Sequence, residues 1–180
     1  MRLRSRECIA DVANALDLTT AVEVGTHQGV FASQFMKRFR GTISLVDPWE
    51  GFTEGFETYY PASDESSRDR NRDMQIAMTA MDPFHCRYSV FRMTSEQASV
   101  KFEDESVGIV YIDALHEYED VSQDIALWYP KVQRGGIISG HDFEFSLPGV
   151  IRAVEEFRKK TGLQIHLTDD FMPSWWAIKE

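Results

Sequence analysis

The sequence predicts an α/β fold: a doubly wound, mostly parallel sheet whose last strand runs antiparallel. Three observations lead there. Short apolar stretches rich in β-branched residues alternate with segments whose apolar positions step by three and four, the alternation that places helices on both faces of a parallel sheet. Acids recur at the ends of the apolar stretches, at Glu23, Asp47, Asp113 and Asp142. The final two apolar stretches have no helical segment between them, so one of them must reverse direction.

The elements follow in order. Cys8, Ile9, Val12, Ala13 and Leu16 share one helical face, in a helix ending near Asp17, and AVEVG (21–25) reads as a buried strand. Residues 30–39 form a helix closed near Gly41, and TISLVD (42–47) a second strand ending on an acid. A helical pattern covers 68–81, a strand 86–93, a short helix 95–102 and a strand 107–112. Tyr118, Val121, Ile125 and Trp128 then step along a helix that stops at Pro130. Arg134, Gly135 and Gly136 turn the chain into the short strand IISG. Pro148 opens a helix with Val150, Ile151, Val154 and Phe157 on one face and Gly162 just past its end. LQIHL (163–167) and SWWAIK (174–179) are the last two strands.

With 180 residues, of which 43% are hydrophobic, the chain suits one domain over 1–180 with a substantial core. The formal charge of −10 argues against a nucleic-acid backbone or an anionic membrane as the main partner. Arg68, Arg70 and Arg72 alternate with Asp69, Asn71 and Asp73, which reads as a mixed, solvated segment. Cys8 and Cys86 show no disulfide or metal-knuckle spacing and are expected as reduced, buried thiols. No apolar run has signal-peptide character or transmembrane length, so a cytoplasmic location is expected.

In an open parallel sheet the strand ends share one edge, and ligands bind in the crevice outside it. Glu23, Asp47, Asp113 and the His141–Asp142 pair therefore converge on one cleft. Clustered carboxylates repel one another unless a cation or ligand hydroxyls hold them. The exit of the first strand, EVGTHQG, has glycines at 25 and 29 but lacks the G-x-G-x-x-G that seats a pyrophosphate. That pattern suits a nucleoside without phosphates, and Asp47 stands where an acid can accept hydrogen bonds from a ribose diol.

Over residues 21–179 the chain resembles class I S-adenosylmethionine-dependent methyltransferases, with AVEVGTHQG as cofactor loop and LVDPW as ribose-binding strand end. The most specific part is YIDALHEYEDVSQDIALWYPKVQRGGIISGHDF, which is similar to small O-methyltransferases of sugar hydroxyls and glycosylated natural products, and more distantly to catechol O-methyltransferase. The resemblance implies a Rossmann-like seven-stranded sheet with its last strand antiparallel, and S-adenosylmethionine as cofactor. It implies that Glu23, Gly25 and Thr26 contact the methionine part, Asp47 the ribose, Trp49 the adenosine, and Ser95 and Glu96 the adenine, with Asp113 also near the cofactor. It implies a metal set of Asp113, His141 and Asp142, holding magnesium or, with a histidine ligand, manganese.

Metal-dependent relatives often carry a second acid two residues after the first; here that position is Leu115. His116 falls where catechol O-methyltransferase places its basic residue and is the leading general base, with helix capping as its structural alternative. The chemistry explains the need: the cofactor supplies an activated methyl, while an acceptor hydroxyl must be aligned and deprotonated. The acceptor is expected to be small or sugar-containing, and a second copy of the chain is a candidate partner. The aromatic segment 48–67, with Phe52, Phe56, Tyr59 and Tyr60, reads as a lid over the cleft. A nucleoside-binding module without turnover and a nitrogen methyltransferase are the competing readings.

Overall fold

A computed structural model describes residues 2–50 and 70–180. The expected lid, with its four aromatic residues, falls mostly outside these residues, as do Arg68 and Asp69. Strands β1 (Thr20–Val24), β2 (Thr42–Val46), β3 (Tyr88–Phe91), β4 (Val107–Ile112), β5 (Val132–Gly140), β6 (His166–Leu167) and β7 (Trp175–Ile178) form one sheet in the order β3-β2-β1-β4-β5-β7-β6. β1 to β5 pair in parallel, whereas β7 runs antiparallel to both β5 and β6, as the missing crossover requires. Strand order reverses between β1 and β4, so the crevice lies outside their ends.

Alternate side chains feed two cores. Ile43, Leu45, Ile109, Tyr111, Ile137 and Trp176 face α1 (Ile9–Ala15), α2 (Val30–Met36) and α3 (Arg70–Met81). Val22, Val110, Ile112, Ile138 and Trp175 face α4 (Ser95–Ser99), α5 (Tyr118–Trp128) and α6 (Pro148–Thr161). β4 is buried along its whole length, which explains its unbroken apolar run. Trp128, Trp175 and Trp176 are the largest fully buried side chains; truncating any of them to Ala costs about 3–5 kcal/mol.

Several expectations are corrected. Arg134, Gly135 and Gly136 do not precede β5 but lie inside it: Gly135 adopts φ +76, the register against β4 shifts there, and Gly135 N–H donates to Lys179 O at 2.7 Å. The bulge continues the strand where the glycines suggested a turn. β6 is only two residues long, so 163–165 are not strand, and α2 ends at Met36 rather than 39. Cys86 is exposed, not buried, because it sits at φ +68 in the turn before β3; both thiols are free. Asp73 is buried and accepts from Gln28 Nε2 at 2.7 Å, so the start of α3 is not simply solvated. Among the described residues no helix is long and apolar enough to cross a membrane.

Candidate active site

A cavity of about 630 Å³ opens at the carboxyl ends of β1, β2 and β4 and the exit of β5. It falls within the range of small-molecule and cofactor sites. Glu23, Gly25, Thr26, Asp47, Trp49, Ser95, Glu96, Asp113, His116, His141 and Asp142 all line it, so the residues picked from the sequence do converge.

Glu23, next to last in β1, pairs with Tyr111 and is 1% exposed. Its Oε2 and the neighbouring Thr26 Oγ1 are buried without a hydrogen-bond partner. Burial, reinforced by the charge of Asp113, pushes the Glu23 carboxyl well above the usual range. Such a group is costly unless something of opposite charge arrives. Gly25 adopts φ +90 against the exit of β4, where a Cβ would stand 2.1 Å from the Asp113 carbonyl oxygen. The glycine is thus required by strand-exit packing as well as by the turn.

Asp47 bridges two loops: Oδ2 accepts from His27 N–H and Oδ1 from Trp49 N–H, both at 2.7 Å. Trp49 is buried and donates Nε1–H to His27 O at 2.8 Å, which ties the exit of β2 to that of β1. On the far wall, Thr94 caps α4 with a reciprocal bond pair to Gln97. The Ser95 hydroxyl is engaged internally, donating to Asp124 Oδ1 and accepting from Trp128 Nε1 at 2.8 Å. Burial raises the Asp124 carboxyl to about 6 despite that bond. Asp124 was missed in the sequence, although it falls between Val121 and Trp128 on the apolar stripe of α5, where an unexpected acid is a signal.

The acceptor end is a chain of charges. Arg6 Nη1 lies 3.4 Å from Asp113 Oδ2; His141 Nδ1 lies 3.5 Å from Asp113 Oδ1 and 2.8 Å from Asp142 Oδ1; His116 Nε2 lies 2.7 Å from Asp142 Oδ2. Burial lowers the His141 pKa, but the hydrogen bonds and charges of Asp113 and Asp142 outweigh it and carry it up to about 9. Burial likewise opposes, without overcoming, the two histidines that hold Asp142 well below the usual carboxylate range. His116 is raised, chiefly by its bond to Asp142. α5 starts at Tyr118 after Glu117 with no side-chain cap, so His116 is not a helix cap.

One ligand atom each from Asp113, His141 and Asp142 lies within 4.8 Å of the others. Two carboxylates and an imidazole suit a divalent ion that accepts oxygen and nitrogen donors. Leu115 lines the cavity where an acid stands in the pattern of metal-dependent relatives. His27 edges the cavity 3.5 Å from Asp73, whereas His85 is exposed and His166 lies tilted against the Trp176 ring, both away from the cavity lining.

A family model described as a methyltransferase domain matches residues 22–143. The uncharacterized protein y4gI of Sinorhizobium fredii is 27% identical over 139 residues, covering 74% of this chain but 14% of that protein, so the chain spans only a small part of its relative's length. A putative caffeoyl-CoA O-methyltransferase from Staphylococcus aureus superimposes with a TM-score of 0.68 at 12% identity, over 97% of this chain and 82% of that one. The O-methyltransferase TomG from Streptomyces achromogenes, solved with SAM, gives 0.66 at 8% identity, over 97% and 79%. At these identities the solved structures share the fold.

Proposed function

The chain belongs to the methyltransferase-domain family; from that premise we propose that it is an S-adenosylmethionine-dependent enzyme that methylates a hydroxyl of a small or sugar-containing acceptor, assisted by a divalent cation. The observation that carries this reading is the convergence on Asp142. Its Oδ1 faces His141 and the Asp113 cluster, while its Oδ2 holds His116.

The residues present fit the cofactor, since the unpartnered Glu23 Oε2 suits an ammonium group at the β1 exit. Glu23, Gly25 and Thr26 would hold the methionine part, Asp47 the ribose, and Trp49, Ser95 and Glu96 the adenosine end. Bound there, the cofactor supplies a methyl group already activated on sulfur. Asp113, His141 and Asp142 would hold the cation, which when bound lowers the pKa of an acceptor hydroxyl. As a ligand His141 would have to be neutral at its donor nitrogen, no longer a charged partner of Asp113 and Asp142.

The chain's own part is alignment and proton transfer. His116 lines the cavity and, tied through Nε2, would accept the proton on Nδ1, with Asp142 orienting the ring as an acid orients the base of a hydrolytic triad. This pair supplies the base that Leu115 leaves missing. The test is a screen of hydroxylated acceptors, phenolic and sugar-bearing, with S-adenosylmethionine and manganese or magnesium, read by product mass. Cofactor binding without a methylated product from any acceptor would favour a binding module instead.

A further inference from the structure

We propose that Arg6 and Glu23 together clamp the α-amino-acid end of the cofactor, Arg6 taking the carboxylate and Glu23 the ammonium; this rests on the cofactor reading above. Two observations frame the clamp. Glu23 is a fully buried carboxylate whose Oε2 has no partner on the cavity wall. Arg6, from the turn before α1, lines the same cavity on the same face of the sheet, and its charge acts on Glu23 without a direct ion pair joining them. A gap with the Arg6 guanidinium on one side and an unpartnered buried carboxyl on the other suits a zwitterion, which offers both signs on a single carbon and whose ammonium would favour the ionised form of Glu23. A lone cation would meet repulsion from Arg6, and an anion alone would leave the buried Glu23 carboxyl without a counter-charge.

Arg6 is held by Asp113 and the Tyr111 hydroxyl, which do not use all five of its N–H donors. Leu3 pairs with Thr168 beside β6, and its carbonyl accepts from Asp169 N–H at 2.9 Å, so the segment is fastened before it crosses the strand ends. The residue itself begins a short 3-10 turn that runs into α1, and its guanidinium lies over the Phe31 ring, 5.5 Å from the centroid. Its contact with Asp113, at 3.4 Å, is longer than the roughly 2.7–2.9 Å of a committed charge-assisted bond. A planar fork with five donors can take a carboxylate through two of them. The clamp would set the methionine end against the β1 exit and so direct the sulfur toward Asp113 and His116.

Calorimetry with S-adenosylhomocysteine and with 5′-methylthioadenosine, which lacks the amino-acid end, separates the outcomes. The wild type is expected to prefer S-adenosylhomocysteine. Arg6→Gln should weaken S-adenosylhomocysteine on the order of 10- to 100-fold, the scale of a lost hydrogen bond to a charged group, while 5′-methylthioadenosine changes less than about twofold. Arg6→Lys should recover part of the preference, and unchanged thermal unfolding of both variants would confirm that the fold is kept. Equal weakening of both ligands, or none, overturns the clamp and leaves the cofactor reading standing. No binding of S-adenosylhomocysteine to the wild type overturns both.

Discussion

His116 Nε2 stands 2.7 Å from Asp142 Oδ2, joining the exit of β4 to the exit of β5. The two residues are 26 positions apart, and only the parallel pairing of β4 with β5 makes them neighbours. The bond leaves one ring nitrogen for the cavity and raises the imidazole's basicity. Replacing His116 with Ala should lower kcat about 10²- to 10⁴-fold, the usual worth of a positioned base. Affinity for S-adenosylmethionine, measured by calorimetry, should stay within about twofold; an unchanged kcat removes His116 as base.

Chelation is expected to abolish turnover, and added ion to restore it. Asp113→Ala and Asp142→Ala should each lose ion binding by titration calorimetry while keeping the fold by circular dichroism. Because the donor set includes an imidazole, manganese should bind more tightly than magnesium. Turnover that persists in full after exhaustive chelation would end the metal-assisted mechanism.

Asp124 gives a pH prediction independent of catalysis. Its carboxyl is raised to about 6 in the folded protein, whereas an unfolded Asp titrates near about 3.9. Between those values the folded state holds a proton that the unfolded state has released, so this group's contribution to stability falls as pH rises through the window. Asp124→Asn keeps an acceptor for the Ser95 hydroxyl and removes the charge. The variant should gain on the wild type as pH rises from about 4 to 7, by up to about 3 kcal/mol. Denaturant unfolding at both ends of that range reads the difference, and a gap that does not widen contradicts the assignment.

Gly25→Ala should destabilise by about 2 kcal/mol or more, since φ +90 strains any side chain and the new Cβ would meet the Asp113 carbonyl oxygen. For a chain of this size, about 2 kcal/mol corresponds to a fall in Tm of roughly 4–8 °C. A thermal melt matching the wild type would show that the exits of β1 and β4 are not so closely packed.

Local pattern alone determined much of this protein. Residues 107–112 are apolar at every position because both faces of β4 are covered, and 118–128 step by three and four because one stripe of α5 is buried. The acids at Glu23, Asp47, Asp113 and Asp142 were legible because strand ends in a parallel sheet share an edge. Local pattern failed at Gly135, where a bulge carries the strand through residues that resemble a turn. It also failed at Arg6, which precedes the first strand by more than ten residues and reaches the cavity only because Leu3 is fastened beside β6. Which acids hold which histidines, and whether His116 caps a helix or faces Asp142, depends on side chains brought together across crossovers. Periodicity reports which face of an element is buried, because burial acts on each residue where it stands. The partners of a charged group are decided by distance in space, which tertiary structure alone sets.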